Sequence, residues 1–229
     1  MSFFENLERT LSSSRLNAYR RTGGGDQGAL RRYLWNTALC ESLYPVLQIL
    51  EVGFRNVVHA EIAATPAGPE WLRNEIGFLA DSEKERIAKA KAGLTKTAKP
   101  VTEPFLIAEL SFGFWTSLLD VRYDRMWHKI ISGVFPNMPR TIRTRAEASA
   151  RMSTVRKLRN AALHHHSIWH WSDLHKQHSD IHTLIEWVCP ASAKIARGLD
   201  RFPTVYAGGA EQFAELAGLI SAQEPAEHH

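Results

Sequence analysis

The strongest constraint on the fold is a hydrophobic repeat in residues 27–64, where apolar side chains recur every three to five positions. The repeat consists of Leu30, Leu34, Ala38, Leu43, Leu47, Leu50, Phe54, Val58 and Ile62. This spacing gathers the apolar side chains on one face of an α-helix, which then needs other helices to cover it. The pattern predicts one long helix, or two helices that meet near Pro45, because proline lacks the N–H that a helix interior uses.

Similar spacing predicts helices along most of the remaining chain, and a capping box at Ser82–Glu85 predicts the start of another. The predicted helices cover residues 3–20, 104–120, 122–134, 143–165, 180–199 and 210–222. No alternating pattern longer than five residues predicts a strand. The expected fold class is therefore all-α, with one domain over residues 1–205 and a C-terminal helix and tail over residues 206–229.

The positive charge of the chain is concentrated in one stretch. The 229 residues carry a formal net charge of +4, and residues 140–159 hold seven basic side chains against one acidic side chain, Glu147. Such a stretch suits a polyanion such as RNA, and Arg151, Arg156 and Lys157 are the predicted RNA-binding residues. The solvated face of an ordinary surface helix is the alternative interpretation.

Cysteine usage and the N-terminal residues predict a cytoplasmic protein. Cys40 and Cys189 lie far apart and form no CxxC pair, which suits a reducing compartment. The first residues have no basic segment followed by an apolar core, so no signal peptide is expected. No apolar run approaches the roughly 18 residues that a membrane span needs, so no membrane partner is expected.

The segment best suited to chemistry is residues 158–166, Leu-Arg-Asn-Ala-Ala-Leu-His-His-His. The Arg159 guanidinium can bind a phosphate through two parallel N–H donors. The His164 imidazole can take or give a proton near neutral pH, and Asn160 can donate to a phosphate or hold another side chain. Together these groups are suited to cleaving RNA without a metal.

The expected reaction uses the 2′-hydroxyl of RNA as the nucleophile. A histidine removes its proton or protonates the leaving 5′-oxygen, while Arg159 stabilises the charge on the phosphorane oxygens. The products carry a 2′,3′-cyclic phosphate and a 5′-hydroxyl, and DNA is not cut because it lacks the nucleophile. Arg159 and His164 lie roughly 140° apart around a straight helix. A second copy of the chain that supplies more of these groups is therefore expected, and a homodimer is predicted. A polar surface face without activity is the alternative.

Four short blocks occur in an order and at separations that are typical of one family. The block Arg159-Asn160-x3-His164 is followed by His164-His165-x2-Ile168-Trp169, with two histidines before a hydrophobic-tryptophan step. Upstream lie Leu-Ser-Phe-Gly-Phe-Trp at residues 110–115 and Glu-x3-Arg-Asn at residues 51–56. Together the blocks resemble the abortive-infection (Abi) family of the HEPN superfamily, over about residues 10–200 of this chain.

The resemblance implies an all-helical HEPN-type bundle with extra helices, a homodimer, and a role in phage defence or toxicity through RNA. An antitoxin or a small non-coding RNA is a further expected partner. The implied catalytic residues are Arg159, Asn160, His164 and His165. The chain departs from the family pattern at His166, Ser167 and His170, which leaves open which histidine acts.

A second polar group lies in the long predicted helix, where Glu51, Arg55 and His59 follow one another at four-residue spacing on one face. With Asn56 they are predicted to support the catalytic residues. A buried or interfacial ion pair that orients the helix is the alternative.

The chain is rich in histidine, and His178 and His182 have the spacing of two metal ligands on one helix. No cysteine or carboxylate accompanies them at a recognised spacing, and consecutive histidines on a helix point in different directions. Neither a metal nor a cofactor is therefore expected.

Two other functions compete with the endoribonuclease. One is an RNA-binding HEPN dimer that holds a small structured RNA without cleaving it, so that cleavage products on a gel separate the two hypotheses. The other is a protein–protein adaptor that uses the aromatic side chains around Trp115, which requires those side chains to be exposed.

Overall fold

The computed structural model describes residues 2–74 and 77–222, which fold into α-helices joined by turns. The helices are α1 (Phe3–Leu11), α2 (Ser13–Arg20), α3 (Gly25–Ala63), α4 (Asp81–Lys96), α5 (Glu103–Glu109), α6 (Phe112–Ser117), α7 (Asp124–Val134), α8 (Arg145–Leu163), α9 (Leu174–Val188), α10 (Pro190–Leu199), α11 (Phe202–Gly208) and α12 (Ala214–Ala222). The described residues include no strand, which confirms the all-α prediction. A helix both long and apolar enough to cross a membrane is not found among them.

Contacts between residues divide the chain into two compact units. Among the described residues, unit 1 combines 2–44, 160–175 and 200–222, and unit 2 combines 45–74, 77–159 and 176–199. Helices α3 and α8 therefore each contribute to both units. The C-terminal helices α11 and α12 belong to unit 1 with the N-terminal helices, and the predicted domain boundary near residue 205 stays a prediction.

Unit 1 is held together by contacts between distant parts of the sequence. The indole N–H of Trp35 donates to the carbonyl oxygen of Val205 at 2.9 Å, and Arg31 pairs with Glu211 at 2.5 Å. The ring of Trp35 also packs against Trp169, with 6.4 Å between the centroids. These contacts join α3, α11 and the segment that follows α8, and large aromatic rings supply much of the area that is removed from water.

Unit 2 has an aromatic core. Phe54 and Trp127 both stack on Phe135, with 6.0 Å between the ring centroids of each pair. Trp71 meets Trp115 edge to face at 6.2 Å. Trp115 is fully buried, so the adaptor hypothesis, which needs exposed aromatic surface around this residue, loses its basis.

Three predicted helices are interrupted in the structure. The helix predicted for residues 104–120 is two short helices, α5 and α6, and the hydroxyl of Ser111 caps α6 by accepting a hydrogen bond from the backbone N–H of Phe114. The helix predicted for residues 3–20 breaks at Ser12, whose φ of 70° leaves the helical region and whose hydroxyl accepts a hydrogen bond from the backbone N–H of Arg15. The helix predicted for residues 180–199 is two helices, α9 and α10. Pro190 occupies the first position of α10, where its missing N–H costs nothing.

The capping box predicted at Ser82–Glu85 is wrong. Helix α4 begins at Asp81, so Ser82 lies inside its first turn, and the Ser82 hydroxyl donates to the Glu83 carboxylate at 2.8 Å. Glu83 is buried and accepts a second hydrogen bond, also at 2.8 Å, from the hydroxyl of Tyr123. A tertiary partner therefore fixes this helix start, and a local side-chain cap does not.

The apolar faces of two helices are narrow or partly exposed. Helix α4 buries a narrow stripe that includes Ile87, Ala90 and Leu94. Ile195 in α10 is 59% exposed. A narrow apolar stripe gives only a weak periodic pattern in the sequence. The sequence therefore does not show which face of such a helix packs against its neighbours.

Candidate active site

Helix α8 ends in a backbone motif that places the histidine run. The N–H of His166 donates to the carbonyl oxygen of Ala161 at 2.9 Å, and the N–H of His165 donates to that of Ala162 at 3.3 Å. This pair of hydrogen bonds is the Schellman motif, which satisfies the last carbonyl groups of a helix. His164 is thus the capping residue, and the two histidines after it lie in the turn.

His165 occupies the position in this motif that usually holds glycine. Its φ is 60°, in the left-handed region, where a Cβ atom costs roughly 1–2 kcal/mol. Among the described residues, Ser12 and Ala98 are the other non-glycine residues with positive φ. The guanidinium of Arg15 in α2 donates to the carbonyl oxygen of His165 at 2.6 Å. A strained residue that its surroundings hold in place is an indicator of function.

The side chain of Asn36 in α3 fixes the rest of the turn. Its oxygen accepts hydrogen bonds from the backbone N–H groups of Ile168 at 2.7 Å and Trp169 at 3.2 Å. Its amide nitrogen donates to the carbonyl oxygen of His166 at 3.4 Å. Asn36 is only 5% exposed, so these bonds form away from water, where an unmade bond is costly.

The three histidine side chains after the end of α8 face solvent although the backbone there is held tightly. His164, His165 and His166 are all exposed, and so is Asn160 on the last turn of α8. Residues 164–169, which Arg15 and Asn36 hold, form the histidine turn of unit 1. It presents accessible imidazoles from a rigid base, which is the arrangement that acid–base chemistry requires.

Arg159, the other predicted catalytic group, lies in unit 2 and is held by a carboxylate. Both its Nε and its Nη2 lie 3.2 Å from the same carboxylate oxygen of Glu51 in α3. The two side chains are 24% and 21% exposed, so the pair is partly shielded from water. Glu51 therefore orients a guanidinium that the sequence assigned to phosphate binding, a role for which a fixed fork of donors is suited.

The other members of the predicted supporting group have different surroundings in the structure. His59 pairs with Glu103 at 3.0 Å. The Nε of Arg55 is buried and has no hydrogen-bond partner among the described residues, and Asn56 is exposed. The contact between His59 and Glu103 joins α3 to α5, so it can orient the helix as the alternative interpretation describes.

The predicted RNA-binding residues differ in whether a carboxylate of the same chain pairs with them. Arg151 bonds to Glu147 at 2.7 Å and to Asp180 at 2.6 Å, so its guanidinium is paired within unit 2. Within the part of the chain that the structure describes, no carboxylate pairs with Arg156 or Lys157. Of the three, these two residues remain available to a polyanion.

Arg15 and Asn36 were not predicted from the sequence. Arg15 lies 150 positions from His165, and no local pattern connects them. Asn36 gave a weak signal, because it is a polar residue within the hydrophobic repeat of α3, between Leu34 and Ala38. A buried polar side chain needs hydrogen-bond partners, but the sequence does not say which ones.

Comparison with known proteins finds no relative of this chain. No family model, no curated protein and no solved structure matches it.

Proposed function

We propose that this protein is a metal-independent endoribonuclease of the HEPN type that acts in phage defence or as a toxin. The observation that carries the proposal is the histidine turn, in which His165 adopts a left-handed backbone while Arg15 holds its carbonyl oxygen. A fold that only needed to end a helix there would be more stable with glycine. An imidazole at this position is therefore best explained by its chemistry.

In the proposed reaction, an imidazole of the histidine turn removes the proton of the RNA 2′-hydroxyl. The 2′-oxygen then bonds to the adjacent phosphorus, and the bond from phosphorus to the 5′-oxygen breaks. A protonated imidazole, from the same chain or its partner in a homodimer, gives a proton to the leaving 5′-oxygen. Arg159 and Asn160 donate to the non-bridging oxygens as charge grows on them.

His164 and His165 are both candidates for the imidazoles. They follow the helix end directly and are exposed, whereas Arg159 is oriented by Glu51 before any substrate binds. Such preorganisation avoids reorienting the guanidinium during the reaction, which is where electrostatic catalysis gains most. We further propose a cytoplasmic location, with RNA as the substrate and an antitoxin or a small non-coding RNA as the regulator.

The decisive experiment is a cleavage assay with purified protein and single-stranded RNA in EDTA, followed by analysis of the ends. We expect 2′,3′-cyclic phosphates and 5′-hydroxyls. Arg159→Gln and His164→Ala are each expected to lower the rate by about 100-fold or more, the range for loss of an electrostatic or acid–base group. The double variant of His164 and His165 to alanine is expected to lose cleavage altogether.

Two matched variants control for general effects of charge and histidine content. Arg125→Gln removes an exposed arginine and His128→Ala removes an exposed imidazole, both from α7. Both are expected to keep at least half of the wild-type rate. If the Arg159 and His164 variants cleave as fast as these controls, the endoribonuclease proposal is wrong.

A non-cleaving RNA-binding protein remains the second candidate, and the ion pair of Arg159 with Glu51 is the observation that favours it. A guanidinium with a carboxylate beside it contributes less net positive charge to a transition state. This alternative predicts RNA binding that weakens steeply with salt, unchanged RNA after long incubation, and reduced affinity in Arg156→Gln.

A further inference from the structure

Two open clefts adjoin the histidine turn in unit 1. One has a volume of about 360 Å³ and the other about 380 Å³. Arg15, Tyr19 and His165 line both of them, so the Arg15–His165 hydrogen bond lies at their common wall. Each volume is within the range of small-ligand sites.

The first cleft is lined by groups that bind anions. Besides Arg15 it is bordered by the hydroxyl-bearing residues Ser12, Ser14 and Ser167. Hydroxyl groups donate to phosphate oxygens, and a guanidinium offers the strongest donors for them. Phosphate is the anion that matches this lining.

Arg15 is the cation in this cleft, and its charge is not neutralised by a carboxylate. Arg20, one turn and a half further along α2, pairs with both Glu8 and Asp26. No carboxylate pairs with Arg15 among the residues that the structure describes, and the side chain is exposed. Its bond to the carbonyl oxygen of His165 uses one of five N–H donors, so the others can face a ligand.

The second cleft has an aromatic and largely uncharged lining. The half-buried ring of Tyr33 meets the edge of Tyr19 at 5.5 Å and 82°, so Tyr19 braces it from the side. Thr37 and Cys40 follow on the same helix, at spacings of one and two turns from Tyr33. Burial raises the pKa of the Cys40 thiol to about 11, so this wall stays neutral near pH 7. A flat nucleobase stacked on a tyrosine suits such a surface.

We infer that the two clefts together bind one unpaired nucleotide of the RNA substrate, with a phosphate at Arg15 and the base against Tyr33. This inference rests on the proposed function, because it places the nucleotide beside the imidazole of His165. It also specifies the substrate class as single-stranded RNA, since a base within a duplex cannot reach a pocket. Arg15 then both positions the histidine turn and binds the strand.

The test measures binding without cleavage. A fluorescently labelled tetranucleotide with 2′-fluoro sugars lacks the 2′-hydroxyl nucleophile, and its affinity is followed by anisotropy at several salt concentrations. Arg15→Gln and Tyr33→Leu are each expected to weaken binding by roughly 10-fold, the scale of one phosphate contact or one stacked base. Arg15→Gln is also expected to reduce the slope of log affinity against log salt by about 0.7, the value for one phosphate of a single strand.

Each variant has a matched control on the same element of unit 1. Arg21→Gln removes an exposed arginine just after α2, and Tyr44→Leu removes an exposed tyrosine from α3. Both are expected to change the affinity by less than twofold. Equal effects of the test and control variants overturn the inference.

A third variant, Thr37→Trp, blocks the second cleft from its exposed rim and leaves the Arg15–His165 bond in place. It is expected to weaken binding about 10-fold while the salt slope stays unchanged, because only the base contact is lost. If Thr37→Trp binds with wild-type affinity, the base does not bind in the second cleft.

The outcomes also separate this inference from the endoribonuclease proposal. Wild-type protein that cleaves RNA but binds the tetranucleotide with no dependence on Arg15 or Tyr33 overturns the inference and leaves the nuclease. Binding that depends on both residues, without any cleavage of natural RNA, supports the clefts and overturns the nuclease.

Discussion

The histidine turn in unit 1 and the Glu83–Tyr123 cluster in unit 2 are both built on buried polar side chains. They differ in which groups they leave exposed to solvent. In the cluster, the Tyr123 hydroxyl donates to Glu83 and accepts from the backbone N–H of Ala80 at 3.2 Å. In the turn, buried Asn36 holds the backbone while the imidazoles above it face solvent. The polar groups of the cluster bond to one another, whereas the turn exposes its imidazoles to solvent.

The electrostatics of the cluster agree with a structural role. Burial acts to raise the pKa of Glu83, but the hydrogen bonds from Tyr123 and Ser82 outweigh it and hold that pKa below its ordinary value. Burial raises the pKa of Tyr123 to about 12. A carboxylate locked in its charged form and a phenol locked in its neutral form are unsuited to proton transfer near pH 7, so the cluster stabilises the start of α4.

The largest effect is expected for Asn36→Leu. The substitution leaves the N–H groups of Ile168 and Trp169 without their acceptor, and we expect a loss of about 3 kcal/mol of unfolding free energy. For a chain of this size that corresponds to a fall in Tm of roughly 6–12 °C, measurable by calorimetry. Cleavage is expected to fall more than 10-fold at temperatures where the variant is folded, because the histidine turn loses its anchor.

Asn36→Asp is the matched variant, because it keeps an acceptor oxygen for Ile168 and Trp169 and replaces the amide that donates to His166 and Cys40 with a carboxylate oxygen. It is expected to recover a large part of the stability of Asn36→Leu. If Asn36→Leu is as active as wild type when folded, the turn does not need its buried anchor and the contrast with the cluster disappears.

An intermediate effect is expected for Tyr123→Phe. The change leaves the Ala80 N–H without an acceptor and Glu83 with fewer donors, which costs about 1–3 kcal/mol. The hydrogen bond lowers the pKa of Glu83, so its contribution is present above the ordinary value of 4.5 and is lost as the pH falls below it. Denaturant unfolding at pH 7 and pH 3 should therefore show a smaller difference from wild type at the lower pH.

Cleavage by Tyr123→Phe, measured well below its Tm, is expected to match that of wild type. A loss of activity as large as that of Asn36→Leu would mean that stability alone explains both results, and that the two networks do not differ in role.

The smallest effect on stability, and the opposite sign, is expected for His165→Gly. Glycine removes the Cβ strain at a φ of 60° and should raise the unfolding free energy by about 1 kcal/mol. His165→Ala keeps that strain and serves as the control, since both variants lack the imidazole. Thermal unfolding should rank glycine above histidine and alanine, and a lower Tm for His165→Gly contradicts the left-handed turn.

The sequence was sufficient for the elements whose burial pattern is long and regular. The repeat over residues 27–64 predicted α3 within a few residues, and the helix interior tolerates Pro45 without ending. It failed at breaks set by single residues, as at Ser12, whose positive φ has no sequence signature in a serine. It also failed at Ser82, because the capping-box pattern is short enough to occur inside a helix.

For the candidate site, the sequence identified the side chains but not what holds them. Arg159, Asn160, His164 and His165 stand out by residue chemistry, and their catalytic roles stay predictions. The sequence grouped Glu51 with Arg55 and His59 by their spacing on one helix, and it did not show that Glu51 contacts Arg159. Partners on another helix leave no trace in that spacing.

The sequence by itself determined the helical class, the end of α8 near the histidine run, and the kinds of group available there, because helix periodicity and side-chain chemistry are local properties. Only the tertiary structure decided that His165 is strained, that Arg15 and Asn36 hold it, and that two clefts adjoin it. Those features depend on hydrogen bonds between residues 130 and 150 positions apart. Such bonds form only after the helices have packed, so no local pattern encodes them.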